Sequence, residues 1–173
     1  PFNRFKNIDL ENLWETRINI NSQFSKSLFF GGGITRGVNT VTFLDVPEKG
    51  SINSFSLWTR LKVSDRLQVG GTYENHRMTT LDKKEEYYSG YLTGIRMNYQ
   101  FNQALSFRLL GQYNDFSQTF QLQPLLSYQP SPFTIFYIGL TSNQVANGLS
   151  MNSLHESQTS SSQLFIKLQY LFN

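Results

Sequence analysis

Period-two alternation runs through most of this sequence, and helical periodicity is nearly absent. Aromatic residues make up 15% of the chain, yet its mean hydropathy is only −0.37. The connections between the alternating segments are short and long in turn. Together these features predict an all-β fold, an antiparallel transmembrane β-barrel of the outer-membrane type with about nine strands in this chain. A barrel reconciles abundant aromatics with modest hydropathy because its strands alternate apolar-out and polar-in. A soluble β-sandwich alternates in the same way and is the competing fold.

The first predicted strand covers Leu13 to Ser22, with Trp14, Thr16, Ile18 and Ile20 opposed by Glu15, Arg17, Asn19 and Asn21. The second, Leu28 to Arg36, contains Gly31-Gly32-Gly33, which is expected to weaken or bend it. The third, Ile52 to Val63, sets Phe55, Leu57, Thr59, Leu61 and Val63 against Ser56, Trp58, Arg60 and Lys62. The fourth, Leu67 to His76, sets Leu67, Val69, Gly71 and Tyr73 against Gln68, Gly70, Thr72 and Glu74. In the fifth, Tyr87 to Phe101, Tyr91, Thr93, Ile95, Met97, Tyr99 and Phe101 oppose Arg96, Asn98 and Gln100. The sixth, Leu105 to Asn114, sets Leu105, Phe107, Leu109 and Tyr113 against Ser106, Arg108, Gln112 and Asn114. The seventh, Phe120 to Tyr128, includes Pro124, which cannot donate to a ladder and is expected to mark a bulge or bend. The eighth, Phe133 to Thr141, is apolar on both sides, so its facing is ambiguous.

The ninth strand ends the chain. Leu164, Ile166, Leu168, Tyr170 and Phe172 form one face, and Phe165, Lys167, Gln169 and Leu171 the other. A lysine in the middle of an apolar strand requires a wet inner side, and a terminal aromatic suits a membrane interface. The first set is the expected C-terminal assembly signal for the barrel-insertion machinery, although Asn173 follows the final aromatic.

The expected short turns are Phe24–Lys26, Ser64–Arg66, Asn102–Ala104 and Gln129–Pro132. The longer connections are Gly37–Ser51, Thr79–Glu86, Asp115–Thr119 and Ser142–Ser160. Tight periplasmic turns with longer outer loops produce this alternation. Counted back from a periplasmic end, residues 1–12 become an outer-side lead-in and 13–173 a barrel segment. A complete bacterial barrel starts and ends in the periplasm with an even strand count. The expectation is therefore the C-terminal part of a larger barrel, in a mature product or a fragment, since Pro1 opens the chain and no signal segment is visible.

Composition narrows the function. There is no Cys, hence no disulfide and no Cys-ligated metal. The net charge is +3 and the Lys and Arg residues are scattered, so nucleic acid is not an expected partner. No run reaches the ~18 apolar residues of a transmembrane helix.

Four segments carry a family resemblance. They are Leu105-Ser106-Phe107-Arg108-Leu109-Leu110-Gly111-Gln112-Tyr113-Asn114-Asp115-Phe116-Ser117, then Gln123-Pro124-Leu125-Leu126-Ser127-Tyr128 with Pro132-Phe133-Thr134-Ile135-Phe136-Tyr137-Ile138-Gly139, and finally Phe165 to Phe172. In order and spacing these resemble the C-terminal end of a Bacteroidota outer-membrane family. Its members join an N-terminal domain similar to carbohydrate-binding module family nine to a large C-terminal barrel. The resemblance covers about Tyr87 to Phe172 and implies location and architecture more than mechanism. The sugar-binding-like domain has no counterpart in this sequence, so no residue here inherits glycan binding.

The inward basic row Arg17, Arg60, Lys62, Arg96, Arg108 and Lys167, with Glu15 and Glu74 as its main acids, would favour anionic solutes in an open pore. The bland reading pairs these cations with acids of a missing wall or plug. Aromatics near strand ends, Trp14, Tyr73, Tyr87, Tyr88, Tyr99, Phe101, Tyr113, Tyr128, Phe133, Tyr170 and Phe172, suit interface girdles. His76 and His155 are the only histidines, and Ser153-Leu154-His155-Glu156-Ser157 has the residue types of a Ser–His site, but solvated loop residues explain them better. Glu85-Glu86 beside Lys83-Lys84 reads as a charged loop tip before a cation site. Gly31-Gly32-Gly33 lacks the Lys-Ser/Thr of a phosphate loop.

The expected function is a non-enzymatic, integral outer-membrane barrel protein of a Gram-negative bacterium, for passage of a solute or anchoring of a surface or periplasmic module. No cofactor and no metal are expected. The expected partners are outer-membrane lipid and lipopolysaccharide, the insertion machinery, and the rest of the barrel or other outer-membrane proteins. The alternatives are a barrel enzyme acting on lipid, with a Ser in hydrogen-bond reach of His76 or His155 at the outer rim, and a soluble sandwich binding module.

Overall fold

A computed structural model describes residues 3–5, 8–41, 46–146 and 157–171. A short hairpin, β1 (Asn3–Phe5) and β2 (Ile8–Leu10), occupies the lead-in. Nine strands follow: β3 (Trp14–Gln23), β4 (Leu28–Val41), β5 (Glu48–Lys62), β6 (Leu67–Thr80), β7 (Glu86–Gln100), β8 (Leu105–Asn114), β9 (Thr119–Ser131), β10 (Thr134–Ala146) and β11 (Ser157–Tyr170). They form one antiparallel sheet in which each strand pairs with its sequence neighbours, from β3 at one edge to β11 at the other. The edges do not pair with each other, so the sheet is open. Among the described residues the only other sheet is the two-stranded β1–β2 hairpin.

Side-chain oxygens close the turns at one end of the sheet. Ser25 Oγ accepts from the Ser27 and Leu28 amides, Ser64 Oγ from Arg66 and Leu67, and Asn102 Oδ1 from Ala104 and Leu105. Ser and Asn are suited to this because a short polar side chain can mimic a backbone turn. At the other end the strands run further than alternation suggested. β4 continues to Val41 and β5 begins at Glu48; β6 reaches Thr80 and β7 begins at Glu86. Much of the expected long loops Gly37–Ser51 and Thr79–Glu86 is therefore paired strand. The reason is cross-strand pairing, which carries turn-forming residues such as Gly37 and Asn39 in register with Ile52 and Gly50.

Two sequence features leave the strand register intact. Pro124 inserts no bulge: the β9–β10 register is the same at Gly139↔Leu125 and Ser142↔Leu122, with only a gap in the ladder between them. Gly31-Gly32-Gly33 does not break β4, which pairs in unbroken register on both sides. The register shifts that do occur lie at Met78/Thr79, Thr134/Phe136 and Asn143/Gln144.

Register separates two faces. One carries Ile18, Ile34 and Phe55, then Ile20, Leu57 and Tyr73, and on to Leu67, Tyr99, Phe107, Leu126, Ile138 and Ile166. β10, ambiguous in sequence, is settled by its partners: Phe136 and Ile138 lie on this face beside Leu168 and Ile166. The opposite face carries Arg17, Asn19, Asn21, Gln68, Thr72, Asn98, Gln112, Gln121 and Gln123. Among the described residues, the buried hydrophobic core is only Val41 and Met78, at the loop end of β4 and β6. The chain exposes 12714 Å², whereas a compact protein of its 20.0 kDa exposes about 8,700 Å².

Candidate functional site: a polar groove backed by an apolar face

The apolar face is organised in bands. Near the loop end, rings run in sequence across four strands: Phe55–Tyr73 at 6.3 Å between centroids, Tyr73–Tyr91 at 5.7 Å and Tyr91–Tyr113 at 5.7 Å. Near the turn end lie Tyr99–Phe101 at 4.7 Å and Tyr128–Phe136 at 6.3 Å. Between the two lines the face is Leu61, Val69, Ile95, Met97, Leu109, Leu122, Leu164 and similar aliphatics. Beyond the loop-end line it turns polar at Arg36, Asn53, Arg77 and Ser89, which are paired across β4 to β7. Tyr91 and Tyr99 are separated by ~27 Å along a strand at ~3.4 Å per residue, or ~21 Å along the normal of a layer crossed at a tilt of ~40°. Tyr88, expected in a girdle, lies on the other face instead, edge-on to Phe116 at 6.0 Å. Its pairing with Met78 keeps the register of the rest of β7, so strand parity alone puts it on the face of Arg96 and Asn98.

All six predicted basic residues share the polar face, in different rows. Arg60, Gly70, Arg96, Leu110 and Gln123 are successive cross-strand partners. The next row toward the turns holds Lys62, Gln68, Asn98, Arg108 and Leu125. Lys167 lies beside Tyr137 on edge strand β11. Arg17 lies beside Thr35, near the loop end. Ion pairing within the chain accounts for two of them: Arg17 with Glu15 at 3.0 Å and Lys62 with Asp65 at 2.7 Å. Among the described residues, no carboxylate lies within ion-pair distance of Arg60, Arg96, Arg108 or Lys167. Arg60 instead stands over the Phe29 ring at 5.8 Å.

Two grooves open on this face. The first, about 430 Å³, is lined by Trp58, Arg60, Thr72, Glu74, Arg96 and the glutamines 112, 121 and 123, with Gly70 and Gly94 as its floor. The second, about 470 Å³, is lined by Lys62, Arg66, Gln68, Asn98, Arg108 and Tyr137. Trp58 lies flat over Gly31 and donates its indole N–H to Asn21 Oδ1 at 3.0 Å. Phe165 covers Gly139 in the same way. The glycines thus leave room for large rings on the polar face.

The Lys62–Asp65 pair ties a turn to the groove rim. The Lys62 ammonium, by hydrogen bond and by charge, holds the Asp65 carboxyl below the ordinary carboxylate value. Because the folded value is depressed, any contribution to stability is present above the unfolded pKa and lost as pH falls through the folded one. Lys62→Met removes both causes, so NMR titration of Asp65 should then show a higher pKa; an unchanged titration would refute this origin.

At the loop end of the polar face, Ser54 Oγ lies 3.0 Å from His76 Nδ1, and His76 Nε2 lies 3.5 Å from Glu74 Oε2. Phe116 packs beside the imidazole at 6.5 Å between centroids and over Gly90. The segment Ser153-Leu154-His155-Glu156 lies outside the described residues, as does Phe172. Glu86 is bound to Arg77 at 2.7 Å and Lys84 to Asp82 at 3.5 Å, which accounts for two of the four charges of the Lys83–Glu86 tip within the chain. No cluster of three or more His, Asp or Glu suited to a metal ion occurs among the described residues. No described helix is long and apolar enough to cross a membrane, which has no bearing on a β-barrel.

A scan of protein-family models and searches of curated proteins and of solved structures each return no match to this chain. The site therefore rests on its own geometry. Sequence reading found the six cations and their parity. It missed Ser54 as the partner of His76, and it missed the joining of Gln112, Gln121 and Gln123 to Arg60 and Arg96, because strand register decides both.

Proposed function

We propose that this chain forms part of the wall of an integral outer-membrane β-barrel, with the apolar face toward lipid and the polar face toward water. The supporting observation is one exposed apolar face across nine strands, bounded by two lines of aromatics and backed by a polar face. Soluble monomers rarely expose apolar patches above a few hundred Å². Aromatic girdles flanking an aliphatic band of ~25 Å are the outer-membrane pattern. The unpaired edges β3 and β11 favour further wall strands, since a membrane leaves no sheet edge unsatisfied. The role is non-enzymatic: solute passage, or anchoring of a surface or periplasmic module. The Bacteroidota family is part of this proposal, as are lipid, lipopolysaccharide and the insertion machinery as partners, the last reading Leu164, Ile166, Leu168, Tyr170 and Phe172. Fractionation of the native protein tests the reading. It should stay in the membrane pellet through carbonate and urea and leave only with detergent; release by carbonate or urea would overturn it.

A second reading, a barrel enzyme cleaving acyl esters, is favoured by the Ser54–His76–Glu74 contacts. Against it, Ser54 and His76 sit on interior strands whose backbone amides are engaged in ladders on both sides, which leaves no amide pair for an oxyanion. A fluorophosphonate probe should therefore leave Ser54 unmodified. Labelling that Ser54→Ala abolishes would establish the enzyme instead.

A further inference from the structure

The geometry points to an anion-binding site in the first groove, in which Arg60 and Arg96 clamp a carboxylate or phosphate group of a water-borne solute. This rests on the proposal that the polar face lines water. The two arginines flank Gly70 in one cross-strand row, so no side chain stands between them. Strands ~4.8 Å apart put their Cα atoms roughly 10 Å apart, a span that two long guanidinium arms close on a single oxyanion once Arg60 swings from the Phe29 ring toward Gly70.

Charge placement favours a ligand over an internal partner. Neither arginine has a carboxylate in ion-pair range among the described residues. The nearest inward acid of the groove, Glu74, is turned to His76 at 3.5 Å and stands at the loop-side end. Lys62, one row below, is already neutralised by Asp65 at 2.7 Å. Arg108, in that same row, adds positive potential beneath the clamp. Thr72, Gln112, Gln121 and Gln123 add amide and hydroxyl groups to the lining, and no further charge lines the groove. The groove is therefore polarised along the strands. An anionic end seats at Arg60 and Arg96, and a hydroxyl-bearing end faces Gln112, Gln121 and Glu74. A volume of about 430 Å³ accommodates a small organic acid or phosphate ester.

The test is isothermal titration calorimetry of the full-length protein in a maltoside detergent at low ionic strength, with inorganic phosphate and citrate as probes. The detergent carries no phosphate, so a lipid headgroup cannot occupy the site. Charge-assisted hydrogen bonds of ~1.5–3 kcal/mol predict that Arg60→Gln and Arg96→Gln each weaken binding by at least about 10-fold. The double variant should lose it. Leu110→Glu, which keeps both arginines but adds a carboxylate beside Arg96 in the same row, should lose most of it too. Arg77→Gln, on the opposite face and paired with Glu86, should bind as the native protein does. A β-sheet circular dichroism spectrum checks the fold of each variant. No binding by the native protein, undiminished binding by a folded double variant, or equal loss in Arg77→Gln would overturn the site. Carbonate release with intact binding would overturn the membrane reading alone.

Discussion

Ile95→Arg is expected to cost about 2–4 kcal/mol when the protein is unfolded from lipid vesicles with urea, whereas Asn75→Arg is expected to cost about 0–1 kcal/mol. The argument is one of depth. Ile95 is 54% exposed, on the apolar face between the two aromatic lines. Asn75 is on the same face, opposite Phe55 and Tyr91, at the level of the loop-end line. If lipid covers the band, a guanidinium at Ile95 must be buried in hydrocarbon or drag water inward, while one at Asn75 reaches the headgroups. If water covers it, both positions are ordinary surface sites and each change stays within about ±0.5 kcal/mol. A gradient from the middle of the band to its edge has no source in an aqueous surface. Equal costs at the two sites would therefore remove the membrane reading, whatever their size.

The nine strands of the sheet were legible because each half-buried segment repeats with period two, as Leu67, Val69, Gly71 and Tyr73 do against Gln68, Gly70, Thr72 and Glu74. Strand ends were not. Residues 37–41 contain Gly and Asn and read as loop, yet β4 holds them in register with 48–52 of β5. A neighbouring strand supplied what local propensity withheld. The candidate site divides in the same way. Parity alone put Arg60 and Arg96 on the polar face. Their closeness across Gly70 depends on three strands aligning, and the meeting of Ser54 with His76, 22 positions away, depends on two. Register follows from turn geometry and from which faces meet, and neither is visible in one strand's alternation. The use made of the triple glycine was hidden for a related reason. Seen alone it lacks side chains to pack; with Trp58 opposite it becomes a seat for an indole.

That seat gives the second large effect, and its sign differs between two glycines on the strands that flank β5. A Cβ at Gly31 would fall inside the Trp58 ring and 2.6 Å from Asn21 Oδ1. Gly31→Ala therefore forces the indole off the wall and breaks its hydrogen bond to Asn21, and overpacking of this kind costs about 1–3 kcal/mol. A Cβ at Gly71 meets nothing closer than Thr59 Cγ2 at 3.6 Å, an ordinary contact. Gly71→Ala should stabilise by about 0.5–1 kcal/mol, because alanine loses less backbone freedom in a strand. Denaturant midpoints of the two variants should thus move in opposite directions. Trp58→Ala completes the argument. With the indole gone the remaining close atom is Asn21 Oδ1, the far end of a side chain now released from its hydrogen bond to Trp58, so adding Gly31→Ala to Trp58→Ala should cost far less than in the native background, a coupling of about 1 kcal/mol or more. Additive costs would mean that Gly31 is required by the β4 backbone itself and not by the ring laid over it.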